Sequence, residues 1–370
     1  MACHRASTIL VTGGAGYVGS VLVRHLLAHG YRVRVLDTLL YGGGAIHSLL
    51  PNPNFEFIHG DLRDPEPLAQ SIRGVRTVIH LAAIVGDAAC AQDEEFSYEV
   101  NYVATEKLVD VCKGAGVEQL IFASTCSVYG ANEQTTCESS APNPISHYAR
   151  TKLNCESLLL STNNHVFRPT ILRLATAFGA SPRPRFDLVV NLLTARALHD
   201  RKITIFNGEQ WRPFIHVTDL ARAICMVLEA PSEEVSGQIF NVGDNQINLK
   251  LGEIAEIVRR EACSVDVEYV DNADRRDYRV RFDKIERVLN FRARVGIAQG
   301  VREIANQFRN KVLTDHQEPI YSNCKYLALQ WSAPAGCKVP ARSSPRWSVL
   351  RATRVASLRN LFVLLSLATS

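Results

Sequence analysis

The feature that most constrains the fold is a glycine-rich junction between an apolar run and an amphipathic helical pattern. The segment "ILVTGGAGYVGSVLVRHLLAHG" at residues 9–30 begins with four residues typical of a strand and continues with apolar residues at helical spacing. Gly13, Gly16 and Gly19 have GxxGxxG spacing. Glycines there allow a tight turn, close approach of the backbone to a pyrophosphate, and close helix–strand packing. The segment predicts the first βα unit of a dinucleotide-binding domain, against the alternative of a glycine-rich turn that binds nothing.

Strand-like runs and helical patterns alternate from residue 8 to about residue 174. This alternation predicts an α/β fold with a doubly wound parallel sheet covered by helices on both faces. The nearly continuous apolar run "TVIHLAA" fits a strand that is buried on both sides. We expect a dinucleotide-binding Rossmann domain over residues 1–178. A smaller, mainly substrate-binding subdomain is expected over residues 179–312, with segments that return to the first domain.

The composition changes after about Leu313, where the chain becomes rich in Ser, Pro and Arg without a sustained period. We expect residues 313–370 to form a disordered or atypical tail. The apolar run at residues 361–365 is far shorter than the roughly 20 residues that span a bilayer, so no membrane anchor is expected. Seven of the 41 basic and two of the 37 acidic residues lie in residues 314–370. The main body is therefore near neutral, and no nucleic-acid partner is expected.

The ten cysteines are scattered, with no CxxC pair and no spacing typical of metal ligands. They predict reduced, mostly buried thiols and no metal site. The first residues run almost directly into the first strand pattern and leave no room for a signal peptide. We therefore expect a cytoplasmic protein.

Two carboxylates follow predicted strands. Asp37 closes "RVRVLD", 21 residues after Gly16, where a carboxylate can accept hydrogen bonds from both ribose hydroxyls. A carboxylate there would repel a 2′-phosphate, so NAD is favoured over NADP. Asp61 in "GDL" closes the third strand pattern and would lie near the adenine. A turn or capping role is the alternative for both residues.

Tyr148 and Lys152 in "HYARTK" are four residues apart and therefore share one face of a helix. A phenol has a pKa of about 10, and an adjacent ammonium favours its ionised form. The Tyr-x-x-x-Lys pattern alone is common by chance. The decisive feature is "FASTCSVYG" at residues 122–130, which closes the fifth strand pattern and supplies a hydroxyl 23 residues before Tyr148.

Six motifs together resemble the extended short-chain dehydrogenase/reductase superfamily, in particular its NAD-dependent nucleotide-sugar epimerase and dehydratase branch. They are "TGGAGYVG", "HLAA", "STCSVYG", "HYARTK", "ILRLATAFG" and "WRPFIHVTDLARA", and the resemblance covers about residues 7–311. It implies a triad in which Thr125 binds a sugar hydroxyl, Tyr148 moves its proton, and Lys152 holds the nicotinamide ribose and lowers the tyrosine pKa. The NAD site that is implied comprises Gly13, Gly16, Tyr17, Val18, Gly19, Asp37, Asp61, Leu62, Ala82, Ala83, Asn101, Tyr148 and Lys152.

The resemblance also implies a substrate site. Its residues would be Ser124, Thr176, Asn191, Arg212, Arg275 and Arg276. Arg212 and one of the two later arginines would clamp a diphosphate, a task suited to the bidentate guanidinium, although surface salt bridges explain an isolated arginine equally well. Ser124 is the hydroxyl that competes with Thr125. Thr176 stands where the family often has Asn, and "GASPRPRFD" replaces a glycine-proline phrase, so the sugar is not predicted.

The resemblance favours epimerisation of a nucleotide-activated sugar at C4, through a transient 4-keto intermediate, with NAD as cofactor. It also suggests a homodimer through the helices near residues 93–114 and 147–160. One alternative is a reductase or dehydrogenase of a keto-sugar or other carbonyl, and another is a catalytically silent NAD-binding regulatory protein. The 4,6-dehydratases of this family carry a carboxylate pair where Cys126 and Ser127 stand. We therefore expect no dehydratase activity.

Overall fold

The computed structural model describes residues 7–272, 274 and 276–332. Within them, a seven-stranded parallel sheet forms the centre of the fold, and five further strands lie outside it. In chain order the strands are β1 (Thr8–Thr12), β2 (Arg32–Asp37), β3 (Phe55–His59), β4 (Val75–His80), β5 (Gln119–Thr125), β6 (Arg168–Leu174), β7 (Thr176–Phe178), β8 (Lys202–Phe206), β9 (Trp211–His216), β10 (Ile239–Val242), β11 (Asn248–Lys250) and β12 (Asp266–Val270).

The central sheet has the strand order β10–β6–β5–β4–β1–β2–β3, with parallel pairing throughout. The chain therefore winds in one direction from β1 to β3 and in the other from β4 onwards. This order confirms the predicted doubly wound α/β class. In such sheets, ligands bind outside the carboxyl ends of the strands where the winding direction reverses, here between β1 and β4.

Helices cover both faces of this sheet and build the second part of the chain. The α-helices are α1 (Tyr17–Ala28), α2 (Gly44–His47), α3 (Pro65–Ile72), α4 (Asp87–Cys90), α5 (Glu94–Tyr98), α6 (Ala104–Gly114), α7 (His147–Ser161), α8 (Val189–His199), α9 (Val217–Glu229), α10 (Ser232–Val235), α11 (Leu251–Glu261), α12 (Asp283–Leu289), α13 (Ile297–Arg309) and α14 (Asn323–Ser332). A π-helical turn (Glu99–Val103) joins α5 to α6, so the helix predicted near residues 93–114 is continuous. Three-residue or four-residue 3₁₀ turns occur at Cys126–Tyr129, Asn245–Ile247 and Pro319–Tyr321.

A second core lies outside the central sheet. Strands β7, β9 and β11 form a small sheet, and β8 pairs with β12 in parallel. Apolar side chains of α8, α11 and α13 pack together with these strands around Phe178 and Phe214. Helix α9 instead packs against α1, and β10 joins the central sheet. Parts of the chain after residue 216 thus return to the first domain.

The segment of residues 313–332 does not behave as the disordered tail that its composition suggested. Leu313 is buried against Phe186, and Leu327, on α14, is only 1% exposed and packs in a cluster with Ile84, Cys90 and Tyr148. The apolar residues that anchor this segment are few and separated by polar residues, so they form no readable period. Residues 333–370, the remainder of the predicted tail, lie outside the described residues.

The cysteines in the described part of the chain are free thiols. None of the helices in that same part combines the length and the apolar character that a bilayer span requires.

Candidate active site

The glycine-rich loop, the carboxyl edge of the sheet and helix α7 border one cavity of about 490 Å³. The predicted site residues that line it are Gly13, Gly16, Tyr17, Val18, Gly19, Asp37, Asp61, Leu62, Ala82, Ala83, Ser124, Tyr148 and Lys152. The cavity lies at the point where the winding of the sheet reverses. The structure thus brings most of the predicted cofactor residues and two of the three predicted catalytic residues to a single site.

The nucleotide-binding loop, residues 13–19, has a shape that only glycine permits at two positions. Gly13 has φ +74°, and a Cβ there would lie 2.7 Å from the backbone N of Ala82. A Cβ on Gly19 would lie 2.2 Å from the carbonyl oxygen of Gly13. Gly16 caps α1 without any side-chain hydrogen bond, so the first turn of the helix leaves backbone N–H groups for a ligand. These features fit the diphosphate of a dinucleotide.

Asp37 ends β2 with its carboxylate at the cavity. Its Oδ2 accepts a hydrogen bond from the backbone N–H of Ala15 at 2.9 Å, and its Oδ1 accepts one from Leu39 at 2.8 Å. Burial raises the pKa of Asp37, whereas these two N–H donors and the Arg183 guanidinium lower it. Each carboxylate oxygen keeps a second lone pair, so Asp37 can still accept from ribose hydroxyls.

Asp61 lines the same end of the cavity but has a protein partner. It accepts hydrogen bonds from the backbone N–H of Arg63 and from the Arg63 guanidinium, both at 2.8 Å. Asp61 therefore stabilises the turn after β3 and also lines the cavity, beside Leu62.

Asn101 supports the cavity from outside rather than lining it. This side chain, on the π-helical turn, accepts from the N–H of Ile84 at 2.7 Å and donates to the Ile84 carbonyl at 2.9 Å. It thereby fixes the loop after β4, which carries Ala82 and Ala83. Our expectation that Asn101 lines the cofactor path is corrected to a positioning role. Both its Oδ1 and its Nδ2 bind the backbone of Ile84, and Asn101 does not line the cavity.

His80 is a second supporting residue, and the sequence interpretation missed it inside an apolar strand pattern. Its ring joins Thr12 at 2.7 Å to Thr105 at 2.9 Å, and burial together with Lys152 lowers its pKa to about 3. The imidazole is therefore neutral at physiological pH, and it fixes β4 against β1 directly below the cavity.

Helix α7 positions Tyr148 and Lys152. Ser146 caps it by accepting from the N–H of Ala149 at 3.1 Å, and donates its own hydroxyl to Asp87 at 2.6 Å. The Nζ of Lys152 donates to the carbonyl of Ala123 at 2.9 Å and lies 4.6 Å from the ring centroid of Phe122. Burial lowers the pKa of Lys152. The lysine is thus held against the end of β5, with its side chain 97% removed from solvent.

Tyr148 has a free hydroxyl. The ring is 8% exposed, and within the described residues its Oη makes no hydrogen bond. Burial raises the pKa of Tyr148 strongly, and Cys90 and Asp87 raise it further. Burial therefore outweighs the lowering that we expected from Lys152. Tyr148 is a protonated phenol in the wall of the cavity.

The two candidate hydroxyls of β5 have different environments. Ser124 donates its hydroxyl to Glu156 at 2.5 Å, and Glu156 forms a buried ion pair with Arg173 at 2.7 Å. Thr125 accepts from the N–H of Ser127 at 3.1 Å, so its own hydroxyl hydrogen stays available. Thr125 lies outside the ring of cavity-lining residues, where β5 passes into the 3₁₀ turn. It remains the better candidate because the Ser124 hydroxyl is already committed.

The arginines predicted to clamp a diphosphate form an ion-pair network instead. Arg212 and Arg276 both pair with Asp274, at 3.4 and 2.6 Å, and Arg276 also pairs with Asp87. Neither arginine lines the cavity. Two guanidinium groups shared between two carboxylates make this network neutral, which favours the salt-bridge alternative in the ligand-free protein. Arg275 lies outside the described residues.

Two other predicted substrate residues do not line the cavity. Asn191 is buried, accepts from the N–H of Gly179 at 3.0 Å, and donates to the Arg185 carbonyl at 3.0 Å and the Tyr17 hydroxyl at 3.3 Å. It therefore positions the loop after β7 and the Tyr17 ring. Thr176 lies in β7, opposite Phe214 of β9.

The sequence interpretation missed one wall of the cavity. We call it the arginine wall and define it as Tyr41, Arg183, Arg185 and Asn323, all of which line the cavity. Two arginines directly after β7, at the carboxyl edge, were a signal that could have been used. Asn323 gave none, because it lies in the segment whose composition suggested disorder.

A group of metal-ligand residue types lies elsewhere, at the end of α8. His199 and Asp200 are 3.0 Å apart, and His316 is 3.8 Å from Asp200. None of the three lines the cavity, and we keep the expectation that the reaction uses no metal.

Comparison with known proteins now adds the family. The model of the NAD dependent epimerase/dehydratase family matches residues 9–243. This chain belongs to that family. It is an NAD-dependent enzyme, and the nucleotide-binding loop and Asp37 fit the dinucleotide.

Individual relatives represent three reactions within the family. A UDP-glucose 4-epimerase of Halalkalibacterium halodurans is 32% identical over 274 residues, which are 68% of this chain and 79% of that protein. The human sterol-4-alpha-carboxylate 3-dehydrogenase (decarboxylating) is 30% identical over 252 residues, which are 66% of this chain and 64% of that protein. DesIV, a dTDP-glucose 4,6-dehydratase from Streptomyces venezuelae solved with NAD bound, shares 28% identity at a TM-score of 0.75, covering 85% of this chain and 99% of its own.

Proposed function

We propose that this enzyme epimerises a nucleotide-activated sugar at C4, through a transient 4-keto intermediate and with NAD as cofactor. One observation carries the proposal. Tyr148 and Lys152 line the same cavity as the nucleotide-binding loop, and the Tyr148 hydroxyl is free to meet a ligand. Similarity to a UDP-glucose 4-epimerase supports the nucleotide-sugar class.

The chain's own residues would bind the sugar and move one proton. Bound NAD supplies reversible hydride transfer. Tyr148 Oη would take the proton of the C4 hydroxyl and later return it to the same oxygen, while the Thr125 hydroxyl binds the sugar. Burial keeps the phenol protonated in the ligand-free protein, so it becomes a base only when positive charge near it lowers its pKa. Lys152, fixed by the Ala123 carbonyl, is a cation on the same helix face.

The test is Tyr148→Phe with Tyr98→Phe as the control. Tyr98 lies on α5 with 38% exposure and does not line the cavity. Tyr148→Phe should lower turnover of UDP-hexoses by roughly 10²–10⁴-fold, the usual contribution of acid–base catalysis, while NAD affinity measured by calorimetry stays unchanged. Tyr98→Phe should change neither. Turnover of Tyr148→Phe within twofold of the parent would disprove the assignment.

The environment of Cys126 and Ser127 argues against 4,6-dehydration. Elimination across C5 and C6 needs a base and an acid. The Cys126 thiol is 1% exposed, donates to the Arg173 carbonyl at 3.2 Å, and has a pKa raised by burial. The Ser127 hydroxyl lies 3.5 Å from that of Tyr278. We expect no 4-keto-6-deoxy product, and Cys126→Ser should be nearly silent. Alkali-induced absorbance of such a product, lost in Cys126→Ser, would reverse this conclusion.

Net oxidation of a hydroxyl is the second candidate, and the similarity to a sterol dehydrogenase favours it. The two functions differ in redox balance. An epimerase regenerates its cofactor and turns over without added oxidant, whereas a dehydrogenase accumulates one NADH per product, which absorbance at the nicotinamide band measures. The homodimer also stays a prediction, which sedimentation velocity tests, and so does the cytoplasmic location.

A further inference from the structure

Arg183 is a buried cation without an acidic partner. It is 6% exposed, and among the described residues no carboxylate forms an ion pair with it. Its neighbour Arg185, by contrast, is paired with Asp187 at 2.8 Å. Burial and the charge of Arg185 lower the pKa of Arg183 to about 10, although Tyr41, Asp187 and Asp37 raise it, and it stays protonated at neutral pH. The nearby carboxylates form no ion pair with Arg183 and do not offset its burial, so the arrangement favours binding of an anion from the cavity.

Two polar atoms at this point of the cavity wall also lack partners. The Nε of Arg183 and the hydroxyl of Tyr41 are both buried and have no hydrogen-bond partner among the residues that the structure describes. The Arg183 guanidinium stacks on the Tyr41 ring, with 4.1 Å between its Cζ and the ring centroid. Both side chains line the cavity. An anionic oxygen could therefore accept from both donors, and it would compensate the cation as well.

The C-terminal segment holds the guanidinium in place from its other side. Arg183 Nη2 donates to the Oδ1 of Asn323 at 2.8 Å and to the carbonyl of Ile320 at 3.3 Å. Asn323 in turn donates its side-chain amide to the Val85 carbonyl at 3.0 Å and its backbone N–H to Asp187 at 3.1 Å. Asn323 thus joins the loop after β4 to the loop after β7, and leaves Arg183 Nε and Nη1 uncommitted.

We propose that Arg183 and Tyr41 form an anion subsite that binds a phosphate oxygen of a nucleotide in the cavity, and that Asn323 is the residue that positions Arg183 for it. The nucleotide class rests on the proposed function. The phosphate belongs either to the dinucleotide cofactor or to the nucleotide sugar, since both would occupy this cavity. Asn323 touches no ligand in this assignment and acts only through Arg183.

Binding of charged and neutral ligands tests the subsite without any turnover. Calorimetry would compare ADP with adenosine on ligand-free protein, and UDP with uridine on protein saturated with NAD. Arg183→Gln should weaken one diphosphate by about 10- to 100-fold, the range expected for a hydrogen bond to a charged group, and its neutral nucleoside by less than about twofold. A loss for ADP assigns the cofactor, and a loss for UDP assigns the substrate. Equal losses for diphosphate and nucleoside, or no loss for either diphosphate, would overturn the proposal.

Variants of Asn323 separate positioning from general support. Asn323→Ala should weaken the same diphosphate, but less than Arg183→Gln does. Asn323→Asp keeps an acceptor for Arg183 and adds a carboxylate beside it. It should therefore weaken the diphosphate while leaving the nucleoside unchanged. Lys325→Ala, at an exposed position on the same helix, is the control and should change nothing.

Unfolding temperatures control for folding. Arg183→Gln removes a buried charge that has no ion-pair partner but also the hydrogen bonds of its Nη2, so the variant should unfold close to the temperature of the parent. A lower unfolding temperature together with equal losses for charged and neutral ligands would show a structural role only, and would overturn the subsite. Arg183→Lys keeps the charge and loses the planar donor pair, so its loss for the diphosphate should be intermediate. A protein that binds as expected but turns over no nucleotide sugar would disprove the proposed function and leave this assignment standing.

Discussion

The nucleotide-binding loop and the arginine wall border the same cavity by opposite means. The loop is seven consecutive residues that offer backbone atoms, and its shape is set by contacts within it and to Ala82. The arginine wall collects side chains from residue 41 to residue 323 and includes two guanidinium groups, of which only Arg185 has an acidic partner within the described part of the chain. The loop keeps its shape through its own backbone contacts, whereas the wall carries a buried cation, Arg183, that no carboxylate of the described residues pairs.

The two regions depend on different parts of the chain. Backbone recognition needs glycine at fixed positions and a strand to support it, and both are local in the chain. The arginine wall needs the chain to return from residue 313 onward, and that return depends on a few buried contacts, among them Leu327 beside Tyr148. Substitutions in the packing beneath the arginine wall should therefore disrupt that wall, whereas substitutions of the loop's own glycines should disrupt the loop.

The largest expected effect comes from breaking the packing under the arginine wall. Leu327→Ala removes a side chain that is 1% exposed, and should lower the free energy of unfolding by about 2–5 kcal/mol, through lost burial and a cavity. Urea denaturation measures it. Val312→Ala, at a 70% exposed position directly before this segment, is the matched control and should cost little. A chain ended after Lys311 loses both Leu313 and Leu327, so we expect it to be destabilised as well. Equal stabilities of Leu327→Ala and Val312→Ala would show that the segment contributes no packing energy.

An intermediate effect is expected from breaking the loop. A Cβ at Gly19 would lie 2.2 Å from the Gly13 carbonyl oxygen and 2.7 Å from the Gly14 Cα, and neither backbone atom can move without deforming the loop. Gly19→Ala should destabilise the protein by about 1–3 kcal/mol and abolish measurable NAD binding.

Gly114→Ala is the control for this substitution. A Cβ at Gly114, in α6, would meet nothing within 4 Å, and the substitution should be neutral or stabilising by about 0.5–1 kcal/mol. If Gly19→Ala still binds NAD, the backbone of the loop can move far enough to accept a side chain at this position.

The sequence indicated that the loop and helix α7 lie at one site, and their signals are local. Gly13 to Gly19, Asp37 and the Tyr148–Lys152 pair follow from spacing within one βα unit or one helix, and all line the cavity. The side chains that the structure places away from the cavity, against our expectation, have partners that are distant in the chain. Asn101 and Asn191 were expected to meet ligands, but their amides bind the backbone of Ile84 and of residues 179 and 185. Arg212 and Arg276 meet Asp274 and Asp87, which no spacing rule connects to them. Asn323 was not predicted to line the cavity, because its segment is held by so few buried residues that no hydrophobic period is visible in the sequence.

The smallest expected effect sharpens the comparison where the two regions meet, at Asp37. Its carboxylate accepts from the N–H groups of Ala15 in the loop and of Leu39 after β2, while Arg183 of the arginine wall is close enough to lower its pKa. Asp37→Ala should weaken NAD, because the ribose hydroxyls lose their acceptor, and should favour NADP relatively, because a 2′-phosphate then meets Arg183 without an opposing carboxylate. We expect the ratio of the two dissociation constants, measured by nucleotide titration, to shift by about tenfold, or about 1.4 kcal/mol.

Asp61→Ala is the matched control, because Asp61 also lines the cavity but is paired with Arg63, and it should leave the ratio unchanged. If the ratio stays constant in Asp37→Ala, Asp37 is only a turn residue. A third outcome is a ratio that shifts in Asp37→Ala but stays constant in the double variant Asp37→Ala/Arg183→Gln. In that case Arg183 attracts the 2′-phosphate of NADP, and Asp37 opposes this attraction in the parent protein.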